Sequence, residues 1–472
     1  MFLSRPDAPS SPADQLSDTP KVLYEHTLAM DFYGYDHGRP DLDLPRNRDQ
    51  DALDSQIEAT RVDSPATVTP SKGWYYSGGV EVNIPHDLGM LPSTLLENPM
   101  NMMYFHYFID YTSKILVTHE CASNPFRTIL PRLAVEDENL LSLLLAYAAC
   151  HRARLLCHPE PVNRISTWVT RLFPTFRQAL AENKPVSDTL FGTSVMLASL
   201  TLSFPLAFAL PISWQGHLSV AQQMLKLRYS QGSPHTTVAG YFFTRWFAYL
   251  DTFGSLSGNV YDGSYQLWSR GLLAGESHPE LKCLVGHTNA TLVLLGRTSE
   301  LCKRCDNERK TCGQPSTTTI TTSQQLRFSL ELATLEVQHK RYDCECSAAT
   351  PSTDVYRAVN AALCHAALIF LHRRVYLLPS SSHLVQISVA AILEALSRNE
   401  RYNPIDIPDI ILPLFLAGCE AKNDQQRSEV LHRLERIGNA GMSQVSRVRA
   451  LLYECWNSGK SWTEMEHDVL LG

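Results

Sequence analysis

The chain has 472 residues, of which 44% are hydrophobic, so it is long and apolar enough to bury a large core. Residues 1–70 carry 13 acidic and 6 basic side chains and account for the formal net charge of −7, whereas residues 71–472 carry 35 of each sign. A body without excess positive charge lacks the electrostatic footprint of a nucleic-acid-binding protein. Charge therefore argues against a chain that binds DNA by itself.

The N-terminal segment, residues 1–98, is acidic and contains 10 of the 27 prolines. This composition predicts a disordered leader, because such a segment cannot bury enough apolar surface to offset the entropy lost on folding. Residues 22–33 mix acidic with hydrophobic side chains, a pattern found in activation segments as well as in inert solvated tails. No basic stretch followed by an apolar one opens the chain, so we predict that the protein is not secreted.

From Pro99 onwards, one amphipathic helical pattern follows another. Leu140, Leu144 and Ala148, for example, recur every four residues, as on one face of a helix. Such patterns predict helices over residues 102–117, 131–156, 161–182, 188–203, 213–229, 238–256, 287–303, 324–341, 353–377, 383–399, 424–439 and 443–457. Alternating strand patterns are almost absent. We therefore predict an all-α fold with a helical body over residues 99–472.

The stretch from Thr189 to Leu225 contains no Asp, Glu, Lys or Arg and is long enough to span a bilayer. Pro205 and Pro211 interrupt it, and no basic flank marks a cytoplasmic side. We interpret it as a core helix that ends before Pro205 and predict no membrane segment.

Residues 302–323 interrupt the helical patterns with basic residues and then a run of Ser, Thr and Gln, which predicts a mobile surface loop inserted in the body. Cys302, Cys305 and Cys312 follow a C-x2-C-x6-C spacing, and two thiolates so spaced can hold one Zn²⁺. A tetrahedral site needs a fourth ligand, but the next cysteine, Cys344, lies far downstream. We therefore predict no metal site in this chain.

Two Cys-His pairs, Cys150-His151 and Cys157-His158, are spaced seven residues apart and so share one helical face. No second cluster of candidate ligands lies nearby in the sequence. We interpret these residues as core or surface side chains and not as metal ligands.

The chain carries no G-x-S-x-G, H-E-x-x-H, phosphate-binding loop or dinucleotide fingerprint. Asn423-Asp424 with Ser428 and Glu429 faintly resembles the second metal motif of helical terpene cyclases. The Ser and Glu spacings differ from that motif, and no aspartate-rich first motif exists. We predict no catalytic residue and no enzyme.

Arg245, Trp246, Tyr249 and Asp251 combine charges with aromatic rings on one predicted helix, as the linings of ligand pockets often do. The alternative is that they pack in the core and that the charged groups form an internal ion pair. We favour packing with an ion pair over a pocket.

Residues 410–421 read Ile-Ile-Leu-Pro-Leu-Phe-Leu-Ala-Gly-Cys-Glu-Ala, which predicts a helix that is apolar almost all round and therefore central in the core. Gly418 would let another backbone approach closely. Glu420 needs either water or a partner. We predict a basic partner, with Arg427 and Arg433 nearest in sequence and a more distant helix as the alternative.

Several segments resemble, in order, the regulatory (middle homology) region of fungal-specific transcription factors, which carry a six-cysteine binuclear zinc cluster at their N-terminus. The segments are 103–111, 124–131, 141–149, 214–218, 245–251 with 254–255, 356–357, 373–376, 412–421 and 445–456. The resemblance covers about residues 99–460 and implies a large multi-helix regulatory domain. It assigns a structural role to a set of signature residues: Asn124, Pro125, Trp246, Asp251, Pro413, Phe415, Gly418, Glu420 and Trp456.

In such factors a Lys/Arg-rich cysteine module precedes this region and reads DNA. Residues 1–98 contain no cysteine, so the family's zinc ligands and base contacts map to no residue here. The cysteines around Cys302 lie in the wrong place for that module. Either an upstream module completes the protein or this member has none, and zinc is implied only in the first case. The chain itself is predicted to hold no cofactor.

The resemblance implies a nuclear regulator of transcription, for a fungal pathway or gene cluster, that acts through the helical domain. The implied partners are other transcription proteins, a small-molecule effector and a second copy of the chain, with DNA bound only through the missing module. A cofactor-like regulator that does not contact DNA is the alternative. A helical enzyme of unknown reaction is the third hypothesis for the function.

Overall fold

A computed structural model describes residues 91–117, 124–182, 185–204, 214–232, 237–257, 261–274, 288–339, 351–397, 408–465, 469 and 471. All regular structure in these ranges is helical and none is strand, which confirms the all-α prediction. The predicted leader lies outside the described residues up to position 90. Residues 91–98 are part of the folded body, because Leu95 lies in the core on a short helix, so the predicted boundary at 98 is too late.

Ten helices are described between residues 91 and 232. They are α1 Ser93–Leu96, α2 Pro99–Tyr107, α3 Ser113–Ile115, α4 Pro125–Thr128, α5 Leu130–Glu136, α6 Glu138–Leu155, α7 Val162–Thr170, α8 Phe173–Glu182, α9 Asp188–Ser203 and α10 Trp214–Gln231. A π-helical turn, Phe108–Thr112, extends α2 into α3.

Nine further helices are described from residue 237 onwards. They are α11 Val238–Leu256, α12 Tyr265–Ala274, α13 Asn289–Cys312, α14 Thr317–His339, α15 Pro351–Phe370, α16 His383–Ser397, α17 Ile411–Cys419, α18 Asp424–Asn439 and α19 Gln444–Ser458. A second π-helical turn, Leu371–Val375, extends α15, and a 3-10 turn, Trp462–Glu464, follows α19.

Capping side chains divide helices that the sequence patterns joined. The helix predicted over 131–156 is α5 and α6, because Oδ1 of Asp137 accepts the backbone N–H groups of Asn139 at 3.0 Å and Leu140 at 3.1 Å. Such an N-cap satisfies donors that have no partner within the helix. The helix predicted over 161–182 is likewise two helices, α7 and α8.

Two buried helices organise the packing. α6 packs against α2, α5, α7 and α9, whereas α15 packs against α13, α14, α16 and α17. α11 and α13 also pack against each other, so one hydrophobic cluster runs through both groups. The short α17 is buried at every position from Ile411 to Gly418, which confirms the prediction of a central apolar helix. Pro413 fits there because N–H groups in the first turn have no partner within the helix.

The loop predicted for residues 302–323 is wrong. α13 continues through Cys312 and ends at Gly313, whose positive φ of 80° is typical of the residue after a helix, and α14 begins at Thr317. The reason is a set of inward contacts that composition does not reveal: Cys302 is fully buried, and Arg309 donates to backbone carbonyls at the end of α15.

Among the described residues, one helix is long and apolar enough to cross a membrane by length and composition. It spans Asp354–Val375, and 83% of its apolar window is buried inside the protein, as expected of a core helix. The stretch after Thr189, weighed above as a span, forms the buried helix α9 and ends at Ser203, before Pro205 as predicted.

Candidate functional site

The first signature residues join α4 to α11. Asn124 is fully buried, accepts the N–H of Phe126 at 3.0 Å and donates to the carbonyl oxygen of Ser113 at 3.0 Å. Pro125 occupies the first turn of α4, where its missing N–H costs nothing. The ring of Phe126 then packs edge-on against Trp246, with centroids 4.8 Å apart. These residues hold two distant segments together.

The last signature residues join α17 to α19. Nε1 of Trp456 donates to the carbonyl oxygen of Gly418 at 2.9 Å. A Cβ atom on Gly418 would lie 2.8 Å from Cδ2 of Leu452, which is too close for two carbons. The prediction that another backbone approaches Gly418 is therefore wrong, because side chains of α19 and α18 fill this space. Phe415 is buried beside them on α17.

Glu420, directly after α17, is held by a basic partner, as predicted. Its side chain is 1% exposed, and Oε1 lies 2.6 Å from Nε of Arg373 and 2.6 Å from Nε1 of Trp462. Arg373 also donates to Ser461 Oγ at 2.8 Å. The partner comes from the distant π-helical turn after α15, so the buried charge is compensated within the fold.

The two nearer candidates for Glu420 have other roles. Arg433 pairs with Glu429 at 3.2 Å, and Arg427 lies over the ring of Trp456 at 5.2 Å. Asn423 accepts the N–H of Gln426 at 2.9 Å and so caps α18. The segment that resembled a cyclase metal motif is therefore a capped helix start.

A second charged cluster anchors α13 to the same π-helical turn. Arg374 pairs with Asp306, and Arg309 donates to the carbonyl oxygens of Arg374 at 2.6 Å and Val375 at 2.5 Å. Arg373 and Arg374 are adjacent in sequence, but they bond to different parts of the fold. This turn connects α13 to the segment that follows α19.

The cysteines of the C-x2-C-x6-C pattern do not converge on one point. Cys302 and Cys305 are fully buried on α13, and burial raises the pKa of the Cys302 thiol to about 12, so it stays protonated at neutral pH. Cys312 is exposed at the end of α13. Within the described ranges, no group of His, Cys, Asp and Glu side chains could hold a metal ion. Cys344 lies outside those ranges.

Asp251 is buried without the ion pair that we expected with Arg245. Its carboxylate accepts from Tyr261 Oη at 2.7 Å, Trp268 Nε1 at 2.8 Å, and the N–H and Oγ of Ser264, both at 2.8 Å. Burial raises the pKa of this carboxyl, and the hydrogen bonds oppose the rise. Arg245 instead donates to Oδ1 of Asn289 at 2.5 Å.

Trp246 and Tyr249 do line a cavity, together with Phe126, Tyr147 and Asp409, but its volume is only about 40 Å³. That space holds about one water molecule, whereas pockets for small ligands measure roughly 300–1,000 Å³. The aromatic group on α11 is therefore packing in the core, and the ligand-pocket reading of these residues is not supported by their geometry.

A larger cleft of about 560 Å³ opens where the end of α14 meets α15 and α16. Its floor consists of small side chains from the two facing helices: Ala358, Ala361, Ala391 and Ala395. Its polar lining comes from all three helices: Gln338, His339, Asp354, Arg357, His365 and Glu394. An apolar floor with polar walls is the usual form of a small-molecule site.

His365 is a half-buried polar residue of this cleft. Burial lowers its pKa to about 4, so the imidazole is neutral at physiological pH and offers one donor and one acceptor. Its Nδ1 atom is buried without a hydrogen-bond partner in the structure. Arg357 lies nearby on the same helix and pairs with Asp354 at 3.3 Å. The cleft thus combines a cation, carboxylates and a neutral imidazole.

Sequence reasoning missed this cleft, although a signal was present. Asp354, Arg357, Ala361 and His365 follow one another at spacings of three and four residues, which forms a polar and small-residue stripe on an otherwise apolar helix. A stripe of this kind on a core helix indicates a side that faces no neighbouring helix.

Comparison with known proteins identifies one family. The sequence profile of a family described as "Fungal specific transcription factor domain" matches residues 103–466, well over half of the chain. No curated protein and no solved structure gives a significant match.

Proposed function

This chain belongs to the family of fungal specific transcription factor domains, and from that premise we propose that it regulates the transcription of a fungal pathway or gene cluster in the nucleus. The helical body would act as a regulatory and interaction domain. The observation that carries the proposal is the extent of the family match, residues 103–466, which includes every signature residue.

The placement of the charged side chains supports a regulatory and not a catalytic role. Both oxygens of Asp251 accept hydrogen bonds from donors of the fold itself, and Glu420 is 1% exposed with its Oε1 bonded to Arg373 and Trp462, so neither carboxylate is accessible to a substrate. Catalytic carboxylates need access to a reacting atom. These buried groups join helices and hold the body in one conformation.

A reporter assay tests the proposal. The full chain is fused to an unrelated DNA-binding domain and expressed with a reporter gene that carries the matching operator. We expect reporter output to change relative to the DNA-binding domain alone, and Arg373→Met to abolish the change because it destabilises the body. Unchanged output in the nucleus of a fungal host would contradict the proposal.

We further propose that the cleft between α14, α15 and α16 binds a small-molecule effector with an apolar part and a charged or hydrogen-bonding end. The alanine floor suits the apolar part, and Arg357 and His365 suit a polar end. A ligand bound there would contact three helices. Because it would bind the folded body and not the unfolded chain, it would stabilise the fold by mass action.

A matched pair of variants tests the effector site. Ala391→Phe fills the cleft, whereas Ala390→Phe places the same side chain at the neighbouring exposed position on α16. In a thermal-shift screen of fungal metabolites, an effector should raise the melting temperature of the wild type and of Ala390→Phe but not of Ala391→Phe. An equal rise in all three proteins would place the ligand elsewhere.

A cofactor-like regulator that does not itself contact DNA is the second candidate. One observation favours it: residues 71–472 carry equal numbers of acidic and basic side chains. A mobility-shift titration of the full-length gene product, including any upstream coding sequence, with DNA separates the two candidates. Tight binding that weakens steeply with salt would show direct DNA contact, whereas a cofactor-like regulator should not shift DNA.

A further inference from the structure

Helix α14 has two apolar faces. The inner face packs on α13 and α15 through Leu326, Leu330 and Val337. The outer face presents Phe328, Leu332 and Leu335 to solvent, with exposures of 66%, 45% and 57%. A surface helix normally has a polar outer face, and adjoining exposed apolar side chains indicate an interaction site. We call these three residues the outer face of α14.

The spacing of the outer face fits a second helix. Phe328, Leu332 and Leu335 are separated by four and three residues, which is the spacing of a coiled-coil seam. Thr321 and Gln325 extend the same spacing toward the start of α14. Side chains at these positions form a straight ridge that can interdigitate with the ridge of an approaching amphipathic helix.

Charge restricts the partner. Glu331 directly precedes Leu332 and Glu336 directly follows Leu335, so the two exposed carboxylates flank the seam on opposite sides. Flanking positions of this kind select a partner by the sign of its charges. A partner helix with Lys or Arg beside its apolar seam would complement Glu336 and, by competing with the exposed pair to Arg327, Glu331.

Segments of this chain fit the outer face poorly. In a parallel pair of two α14 helices, Glu331 of one copy would face Glu336 of the other, and like charges so placed repel. Arg327 is the single Lys or Arg in α14, and it already pairs with Glu331 at 3.4 Å. The acidic segment of residues 22–33 contains Glu and Asp but no Lys or Arg. The chain offers no complementary charge in either case.

We propose that the outer face of α14 binds a basic amphipathic helix of a partner protein. The interaction buries Phe328, Leu332 and Leu335 in the seam and places the partner's cations beside Glu331 and Glu336. This proposal does not depend on the effector site, because no residue of the outer face lines the cleft.

Fluorescence anisotropy with two labelled synthetic peptides tests the proposal on the full chain. Both peptides are helical with a leucine seam, one with lysines on the flanks and the other with glutamates. We expect the lysine peptide to bind at least about tenfold more tightly, and Glu331→Gln/Glu336→Gln to reduce that preference at low salt.

Surface variants locate the binding. Phe328→Ser/Leu335→Ser should weaken the lysine peptide about tenfold or more, because it removes two seam contacts. Leu96→Ser is the matched control, since Leu96 is 63% exposed on α1, and it should leave binding unchanged. Unchanged thermal unfolding of both variants establishes that they fold.

Three results would overturn the proposal. These are no binding of the lysine peptide, equal binding of both peptides, and binding that survives Phe328→Ser/Leu335→Ser. Sedimentation velocity of the chain alone could give a fourth result that overturns the proposal. If the wild type is a dimer and this double variant is a monomer, the outer face binds a second copy of the chain.

Discussion

At the scale of single residues, the buried pair of Glu420 and Arg373 makes a direct prediction. Arg373→Met keeps much of the side-chain volume but leaves the carboxylate of Glu420 buried without its cation. We expect a loss of about 3–5 kcal/mol in the free energy of unfolding, measured by urea denaturation followed by circular dichroism. Adding Glu420→Gln to this variant should recover part of the loss, because it removes the uncompensated charge.

An exposed pair supplies the control for that prediction. Arg327→Met removes the cation from the half-exposed pair with Glu331, and we expect a change below about 1 kcal/mol. If Arg373→Met were as stable as Arg327→Met, the pair with Glu420 would not contribute to the stability of the core.

The turn at Gly441 makes a second residue-scale prediction. Gly441 has a φ of +94°, and an added Cβ would lie 2.7 Å from Cδ2 of His151. His151 cannot easily move, because it bonds to Thr112 Oγ1 at 3.0 Å and to the carbonyl oxygen of Ala440 at 3.2 Å. We expect Gly441→Ala to destabilise the fold by about 2–4 kcal/mol, as strain and steric conflict add.

Gly459→Ala separates these two causes. Gly459 also has a positive φ, +68°, but a Cβ there meets no atom within 4 Å. We expect Gly459→Ala to lower the free energy of unfolding by only about 1 kcal/mol, because of the backbone conformation alone. The same urea denaturation measures this change. Equal losses in both variants would show that the contact with His151 has no energetic effect.

Single residues also show where sequence reasoning stops. The need of Glu420 for a basic partner follows from a carboxylate at the end of an apolar run, and it was predicted. The identity of that partner was not, because Arg373 is brought close by the packing of α15 on α17 and not by sequence proximity. For Asp251 the error was the reverse, because the expected cation, Arg245, does not bond to this carboxylate and neutral groups donate its hydrogen bonds.

At the scale of helices, the C-terminal turns of α13 depend on Arg309. Its guanidinium donates to the carbonyl oxygens of Arg374 and Val375 and thereby fixes this end of the helix. We expect Arg309→Ala to speed amide hydrogen exchange in residues 306–312, because local opening no longer breaks these bonds. Lys310→Ala, at the neighbouring exposed position, should not change exchange there.

The same helix explains why a loop was predicted. Residues 302–323 contain few large apolar side chains, so patterns of hydrophobicity indicate no helix. The side chains that hold α13 and α14 in place here are cysteine, serine, threonine and an arginine. Patterns of hydrophobicity do not include these residue types. Helices with a clear apolar period, such as α11 and α18, were predicted with the bounds that the structure shows.

At the scale of the whole molecule, buried histidines predict a loss of stability in acid. Burial lowers the pKa to about 4 for five of them: His106, His151, His217, His365 and His372. In the unfolded chain these groups titrate near 6.5, so between pH 6.5 and pH 4 the unfolded state binds more protons. The free energy of unfolding should therefore fall as pH decreases through this window, and urea denaturation at each pH measures it.

Carboxyls whose pKa is raised by burial, such as Asp110 and Glu160, act in the opposite direction. A variant isolates the contribution of one histidine. His151→Phe removes one titrating group, so the slope of unfolding free energy against pH between 6.5 and 4 should decrease by at most about 1.4 kcal/mol per pH unit. An unchanged slope would mean that His151 is charged in the folded protein.

The whole fold shows a similar division between what was and was not predictable. The fold class follows from helical periodicity, and the signature residues follow from the family resemblance. Both the periodicity and the resemblance depend only on the order of residues along the chain. The cleft at α14, α15 and α16 depends on small residues of different helices that face each other, so only the packing reveals it. The exposed outer face of α14 likewise depends on which of its two apolar sides is covered.

The segment after α19 has a consequence for how the protein is made. Trp462 bonds to Glu420, and the N–H of Leu471 donates to Ser257 Oγ at 2.8 Å in the buried interior. Both acceptors are synthesised long before their donors. While residues 462–471 are still inside the ribosome, the nascent body exposes part of its core. We therefore expect the core to complete its packing only after residues 462–471 have left the ribosome.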